Sequence, residues 1–368
     1  MTITIPHMGN VYLAAKALFE TLEIPYIIPK FNTKHTMQAG AAVSPEEICL
    51  PFKITMGNLL EAIDRGADTV LMVGSCGPCR FGEYCELQMK LLKSLGKHVD
   101  FIVIDSPSQI GNKAFWERIG KLSGESPRKR MGKLDALRQA ARILRLADET
   151  DTLAHFLAGY EARNGTCKGL LRACKAEAFA CADAPAMQRV LLSYREKLKN
   201  IRTDPGKNPV RIALTGEIFA MIEPFSNLHI EEKLMDYGVS TVRLLTPSWW
   251  LKDLALKPIK LNSLAVKRLS GPYLPYAIGG HARETIAHAL MAKANNMDGV
   301  IQVFPLGCMP EIVVKSVLPQ LTEDHGLPVM TLIVDEMTGE AGYVTRIEAF
   351  IDMLTSKRGK GEGLEENA

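Results

Sequence analysis

The chain has 368 residues, of which 47% are hydrophobic and 23% charged, the balance of a globular protein long enough for two or three domains. A formal net charge of +3 argues against a nucleic-acid binder, which normally carries a concentrated basic face. The sequence contains no run of about 18 apolar residues, which argues against a transmembrane helix. Because the N-terminal residues lack a basic leader and a long apolar stretch, we expect no signal peptide and a cytoplasmic protein.

The first part of the chain alternates between strand and helix patterns, which predicts parallel βαβ units and an N-terminal α/β domain over residues 1–110. Helical spacing of apolar residues predicts helices at 11–22 and from about residue 51 to 65. The predicted strands are short and apolar, and they lie at 2–6, 26–29, 69–74 and 101–105.

A mainly helical segment is predicted at 111–205, where strand patterns disappear, and a Pro- and Gly-rich linker at 204–209 ends it. Its predicted helices lie at 133–146, 152–163 and 186–200. The alternation then returns and predicts a C-terminal α/β domain over 206–355. Its predicted strands lie at 210–215, 241–245, 299–304 and 328–334, and its helices at 230–237, 282–294 and 312–321. Residues 356–368 are rich in Lys, Gly and Glu and are predicted to form a flexible tail.

Eight cysteines in a cytoplasmic protein rarely form disulfides, so their placement decides what they do. Open α/β sheets carry functional groups just beyond the carboxyl ends of their strands. Cys76, Cys79 and Cys85 follow the predicted strand at 69–74, and Cys308 follows the predicted strand at 299–304. We therefore expect a cysteine loop at the functional edge of each half.

Cys49 is also well placed for chemistry, because the following Leu50-Pro51 is typical of the first turn of a helix. A thiolate at that position interacts with the positive end of the helix dipole, and Lys53 adds a positive charge nearby. Both effects favour the ionised form of the thiol, which is the form that binds metal.

The local spacing C-x2-C-x5-C leaves three interpretations open: an iron–sulfur cluster, a zinc site, and inert or redox-active thiols. We favour a cluster held between the two α/β domains, because the remaining well-placed cysteines lie far away in sequence. Cys167, Cys174 and Cys181 recur every seven residues, which places them along one stripe of a helix. They form either a packing seam or the source of one further ligand.

Three carboxylates follow predicted strands of the C-terminal half and are candidate catalytic residues. Glu217 follows the strand at 210–215, whereas Glu336 and Glu340 follow the last strand. Each could handle protons in a cleft, or could satisfy the N-terminus of a helix.

Two other positions carry weaker signals. His281 and Arg283 open a predicted helix after Gly279-Gly280, a pattern that fits either an anion such as a coenzyme A phosphate or an ordinary surface cap. His7, which follows the first strand, is a further candidate for the cleft.

Several segments resemble the 2-hydroxyacyl-CoA dehydratase component D superfamily and, within it, the branch of acyl-CoA dehydratase activase-related and double-cubane cluster proteins. These segments are EICLPFK at 47–53, GPCRFG at 77–82, TGEIF at 215–219, FPLGC at 304–308 and DEMTGEAG at 335–342. They touch both α/β halves, so the resemblance covers most of the chain.

The resemblance implies two Rossmann-like (flavodoxin-like) parallel-sheet domains with a helical middle segment and an iron–sulfur cluster in the interdomain cleft. It implies a 4Fe-4S cluster or a double-cubane 8Fe-9S cluster. Double-cubane members use six cysteine ligands, and five are well placed here: Cys49, Cys76, Cys79, Cys85 and Cys308. A sixth would have to come from Cys167, Cys174 or Cys181.

The resemblance also implies a partner, an iron–sulfur activator ATPase of actin-like fold, since this chain has no G-x-x-x-x-G-K-S/T loop of its own. The expected function is low-potential, activator-dependent reduction or reductive dehydration of a small substrate at the cluster. The alternatives are an electron-transfer or cluster-carrying subunit without a substrate site, and a zinc-stabilised binding protein. We expect a homodimer, with residues 186–198 and Trp249-Trp250 as the candidate interface.

These assignments predict how cysteine variants behave after anaerobic purification. Replacing Cys76, Cys79 or Cys308 with Ser is expected to remove iron and visible absorbance, because each substitution removes a thiolate ligand. Cys49→Ser and Cys85→Ser belong to the same group, whereas Cys167→Ser is the control that retains both. Iron and sulfide analysis tests the prediction, and full iron retention in Cys308→Ser would exclude a cluster shared by the two domains.

Overall fold

A computed structural model describes residues 1–74, 80–104, 113, 117–118, 120–122, 124, 126–128, 130–256 and 263–365. These residues form two four-stranded sheets in which every strand pair is parallel. The predicted α/β fold with two parallel-sheet domains is therefore confirmed. The predicted domain boundary at residue 110 lies outside the described residues.

The N-terminal sheet has the strand order β2-β1-β3-β4. Its strands are β1 (Ile3–Thr4), β2 (Tyr26–Ile27), β3 (Thr69–Val73) and β4 (Asp100–Ile104). Its helices are α1 (Val11–Leu22), α2 (Lys34–Val43), α3 (Leu50–Asp64) and α4 (Tyr84–Ser94). Helices α2 and α4 were not predicted from the sequence: α2 consists mainly of small and polar residues, and α4 begins inside the cysteine-rich segment.

A close crossing of α2 and α3 fixes the position of the helix that begins after Cys49. A Cβ atom on Gly40 would lie 1.8 Å from the carbonyl oxygen of Lys53, and one on Gly57 would lie 1.9 Å from that of Thr36. Only glycine permits this backbone approach. The two helices therefore form one rigid pair.

The helical segment contains α5 (Arg130–Leu157), α6 (Thr166–Ala180) and α7 (Ala184–Lys199). The sequence predicted two helices at 133–146 and 152–163, which is wrong, because α5 continues through the polar residues between them. Asp148 and Asp151 are buried there and accept hydrogen bonds from the Asn10 side chain at 3.0 and 2.8 Å. The polar residues between the two predicted helices thus form a buried contact with the N-terminal domain.

The C-terminal sheet has the order β6-β5-β7-β8, so it repeats the topology of the first sheet. Its strands are β5 (Arg211–Gly216), β6 (Ser240–Arg243), β7 (Gly299–Pro305) and β8 (Val329–Val334). Its helices are α8 (Ile218–Ile222), α9 (Ile230–Asp236), α10 (Pro247–Leu256), α11 (Leu264–Ser270), α12 (Ala282–Ala294), α13 (Met309–His325) and α14 (Glu340–Glu365).

Helix α14 runs into the segment that was predicted to be a flexible tail from residue 356. Contacts beyond that point hold it to the second domain. Arg358 donates from Nε to Asp298 at 2.7 Å and from Nη1 to the carbonyl of Pro209 at 2.9 Å, while Lys357 donates to the carbonyl of Gly326 at 2.8 Å. The composition of this segment gave no sign of these partners, which lie on other elements.

The two domains share one apolar core. Leu50 and Ile54 of α3, with Met37 of α2, are buried in the same cluster as residues of the second sheet and of α14. The second domain contributes to this cluster Val210, which immediately precedes β5, and the strand residues Ile212, Leu214, Ile301, Val303, Leu332 and Val334. The start of α3 is thus packed against the second domain.

The apolar face of α7 faces its own chain. Met187, Leu191 and Tyr194 are buried in one cluster with residues of α1, α5 and α6, and Trp249 packs against the shared core. The surfaces proposed from the sequence for dimerisation are therefore largely used within the chain, while the homodimer itself stays a prediction. In the described part of the chain, no helix has both the length and the apolar character needed to cross a membrane.

The α2–α3 crossing predicts opposite effects for two Gly→Ala substitutions. Gly57→Ala is expected to destabilise the protein by about 1–3 kcal/mol, because the added methyl overlaps the backbone of α2. Gly169→Ala in α6 is the control, since a Cβ there meets nothing within 4 Å, and it is expected to stabilise by about 0.5–1 kcal/mol. Urea unfolding measures both, and an unchanged midpoint for Gly57→Ala would contradict the close crossing.

Candidate functional site

The repeated strand order places a topological switch point in each domain, between β1 and β3 and between β5 and β7. Ligands of open α/β sheets bind in the crevice at such points. Glu217 follows β5 and Cys308 follows β7, so they flank the crevice of the second domain. His7 follows β1 in the first domain, whereas the loop after β3 with Cys76 and Cys79 lies outside the described residues.

Cys49 and Cys308 occupy matching positions at the N-termini of two helices. Cys49 is the N-cap residue of α3 and Cys308 that of α13, and in both helices the second residue is proline. Both cysteines are half-buried. The positive end of the helix dipole favours a thiolate at either position.

Cys85 lies in the first turn of α4 and is buried in the apolar cluster that also contacts Cys49. The hydroxyl of the neighbouring Tyr84 is in hydrogen-bond contact with Cys49 Sγ. Tyr84 was not among the residues predicted from the sequence, although its position beside Cys85 was a signal that it approaches the same centre. A phenol in contact with a thiolate would stabilise its negative charge.

An ion pair joins the Cys49 helix to the second domain. Lys53, one turn after Cys49, is only 3% exposed, and its ammonium group pairs with Glu336, which follows β8. The same group donates to the carbonyl of Glu46 at 2.9 Å. Helix α3 therefore begins close to the carboxyl end of β8.

A backbone hydrogen bond connects that strand end to the loop that carries Cys308. The N–H of Leu306, two residues before Cys308, donates to the carbonyl of Val334 at the end of β8, with a length of 2.9 Å. The loop after β7 is thereby held against the end of β8. Helix α3, which follows Cys49, thus begins near the carboxyl ends of β7 and β8, where Cys308 also lies.

The described residues supply only part of a ligand set. Among them, no group of three or more His, Cys, Asp or Glu side chains is arranged to hold a metal ion. The described candidates are Cys49, Cys85 and Cys308, and the five-cysteine set stays a prediction because Cys76 and Cys79 lie outside the described residues. The donor chemistry fits an iron–sulfur cluster, since all five predicted donors are thiols and two of them occupy helix N-cap positions.

His7 is buried in a contact between the domains. Its Nδ1 lies 3.2 Å from Oε2 of Glu223, which follows α8, and the N–H of Gly9 donates to the same oxygen at 3.1 Å. Burial alone would raise the pKa of Glu223, but the contacts with His7 and the Gly9 N–H outweigh it and hold the pKa below its ordinary value. His7 therefore helps to fix the first loop against the second domain.

A buried acid lies three residues after Cys308. Glu311 is 1% exposed, and its carboxyl group accepts hydrogen bonds from the Thr285 hydroxyl at 3.0 and 3.1 Å and from the Gln302 amide at 2.8 Å. Burial raises the pKa of Glu311 to about 8, and the neighbouring Glu217 and Glu284 add to the increase. Glu311 was not predicted from the sequence, although the spacing Cys308-x-x-Glu311 at a helix start was a signal.

Other titratable groups lie at the start of α12, the helix that carries Thr285, and within it. Burial raises the pKa of Glu284 to about 7 and lowers the pKa values of His281 and His288 to about 4, so both imidazoles are neutral at pH 7. The Trp249 ring lies 6.4 Å from the His281 ring and 6.0 Å from the His288 ring. His281 thus lies in a crowded pocket beside the Cys308 helix and not on an open surface.

The carboxylates predicted from the sequence have separate environments. Glu217 caps α8 by accepting from the N–H groups of Phe219 and Ala220 at 3.0 and 2.9 Å, and burial raises its pKa. Glu336 pairs with Lys53, whereas Glu340 is exposed and pairs with Lys233. Their catalytic roles stay predictions.

Arg283 turns away from the N-terminus of α12. Its guanidinium group donates to the carbonyls of Leu274 and Pro275. These two contacts hold the guanidinium group against the segment before α12, which weighs against the anion-binding interpretation.

Comparison with known protein families identifies a match that spans most of the chain. The family model described as 2-hydroxyglutaryl-CoA dehydratase, D-component, matches residues 11–354. That range includes both sheets from β2 onwards, the helical segment and every cysteine of the chain. No curated protein sequence matches the chain.

The environment of Glu311 predicts a pH-dependent stability. Between about pH 4.5 and about pH 8 the folded protein holds a proton on Glu311 that the unfolded chain has lost, so its free energy of unfolding falls as the pH rises. The difference between wild type and Glu311→Gln is expected to change by up to about 1.4 kcal/mol per pH unit in this window. Urea unfolding at several pH values measures it, with the exposed Glu323→Gln on the same helix as the charge-matched control. Parallel curves for wild type and Glu311→Gln would contradict a protonated Glu311.

Proposed function

The chain belongs to the 2-hydroxyglutaryl-CoA dehydratase D-component family, and on this premise we propose that it is an iron–sulfur enzyme component that reduces or reductively dehydrates a small substrate. The reaction takes place at a 4Fe-4S or double-cubane 8Fe-9S cluster in the cleft between the domains. Electrons come from a separate iron–sulfur activator ATPase.

The observation that carries this proposal is the equivalent placement of Cys49 and Cys308. They belong to different domains, each begins a helix, and the Lys53–Glu336 ion pair joins their surroundings. Thiolates in such positions suit a shared cluster, because both helix dipoles offset its negative charge. Cys76, Cys79 and Cys85 complete the proposed ligand set.

The environment of the helical segment weighs against a sixth ligand from it. Cys167 and Cys174 are buried in apolar clusters, and burial raises the pKa of Cys174 to about 12 and that of Cys167 further. Neither thiol is disposed to ionise, which favours the packing-seam interpretation. Cys181 is half-buried and also has a raised pKa.

When bound, the cluster supplies electrons at low potential. The chain's own residues position the elements around the cluster and transfer protons. Lys53 holds the Cys49 helix at the cleft, His7 and Glu223 fix the first loop, and the acids near Cys308 handle protons. We place the protein in the cytoplasm, where thiol-ligated clusters are protected by a reducing environment.

The proposal predicts activator dependence. In an anaerobic assay with acetylene, hydrazine or a 2-hydroxyacyl-CoA, a strong reductant alone is expected to support little turnover, and adding the activator with Mg-ATP is expected to raise the rate markedly. The reason is that a thiolate-ligated cluster lies at the low end of the potential range, so an ordinary donor cannot reduce it.

Cys308→Ser is the matched control for that assay, because it removes one proposed ligand. Equal wild-type rates with and without activator and ATP would contradict the coupling. An intact, redox-active cluster with no turnover under any condition would instead favour the electron-carrier alternative.

A further inference from the structure

We propose that Glu311 is the internal acid that delivers a proton to the substrate during reduction, a role that rests on the proposed function and deepens it. The residue lies in the first turn of α13, three positions after Cys308 and at the switch point of the second sheet. It is buried, and it lies at the same edge of the sheet as Cys308.

The orientation of Glu311 departs from that of an ordinary acid at a helix start. A glutamate at the third position of a helix commonly accepts from the backbone N–H of the N-cap residue. Here the N–H of Cys308 donates instead to the carbonyl of Pro305 at 3.0 Å, and the Glu311 carboxyl faces Thr285 and Gln302. The side chain therefore does not serve as a helix cap.

The orientation of the Gln302 amide is fixed by the backbone carbonyl of Glu311, which can only accept a hydrogen bond. Gln302 Nε2 donates to that carbonyl at 3.1 Å and to Glu311 Oε2 at 2.8 Å, while Gln302 Oε1 accepts from the Thr331 hydroxyl at 2.9 Å. The Thr285 hydroxyl lies near both carboxyl oxygens and can either accept a hydrogen bond from a protonated Glu311 or donate one to the carboxylate. Glu311 is thus held in place in both protonation states.

The charges that face Glu311 come from two other elements. Glu217 caps the start of α8, and Glu284 lies in the first turn of α12. His281, the N-cap residue of α12, and His288, within that helix, are neutral at pH 7. The two carboxyls disfavour a charge on Glu311, in agreement with its pKa of about 8. An acid with a pKa near the working pH is suited to give up and regain a proton.

The proton and electron balance is simple for a substrate with an unsaturated bond. Two electrons arrive from the low-potential iron–sulfur activator, and two protons complete the product. The Glu311 O–H bond breaks and its proton bonds to the substrate atom that has received the electron pair. The carboxylate is reprotonated from water, and the second proton also comes from solvent.

The test compares Glu311→Gln with wild type in the activator-dependent assay. The amide has the same shape, and it can accept from Gln302 and donate to Thr285, so iron content and visible absorbance are expected to be retained. Turnover is expected to fall by about 10²-fold or more. The wild-type rate is expected to decline above about pH 8, whereas the residual rate of Glu311→Gln lacks that decline. Glu311→Asp is expected to restore part of the rate.

Infrared difference spectroscopy gives a readout that does not depend on turnover. Wild type is expected to show the C=O band of a protonated carboxylic acid at pH 7, which is lost at alkaline pH and in Glu311→Gln, while the exposed Glu323→Gln retains it. Absence of a Glu311-dependent band, or turnover of Glu311→Gln within about twofold of wild type with the same alkaline decline, would overturn the proposal. A wild type that retains the band but reduces no substrate would overturn the proposed function, and the donor role with it.

Discussion

The packing of the start of α3 against the second domain is the constraint on which the candidate site depends. Leu50 and Ile54 are buried in the core of the C-terminal sheet. Lys53, which lies between these two residues in the sequence, forms an ion pair with Glu336. Burying the Lys53 ammonium group is costly unless it is paired, so this contact selects one relative placement of the two domains. The same placement brings Cys49 to the edge that carries Cys308.

Buried polar contacts reinforce that placement elsewhere in the interface. Asn10 donates to Asp148 of the helical segment, and the second carboxyl oxygen of Asp148 accepts from the N–H of Ser248 in the second domain at 2.8 Å. His7 and Glu223 form a further contact between the domains. Because a buried polar group left without its partner costs free energy, these contacts make the interface specific as well as stable.

The two halves share a topology but contribute different chemistry. The first supplies Cys49 and Cys85 from an apolar cluster, whereas the second supplies Cys308 beside a pocket of acids. In the proposed function, the thiolates at the interface therefore bind the cluster that transfers electrons, and the acids of the second domain deliver protons. The division follows from burial, since Glu311 can remain protonated only where water and cations are remote.

The sequence by itself determined the α/β alternation and the cysteines at strand and helix ends, because these follow from local periodicity and from Pro and Gly positions. Tertiary structure alone decided which groups meet. Glu336 was predicted as a proton handler, but its partner Lys53 lies 283 residues away in the chain. Glu311 gave only a weak local signal, because its burial depends on Gln302 from the strand and Thr285 from another helix. Burial and pairing are properties of groups distant in sequence, so no local pattern encodes them.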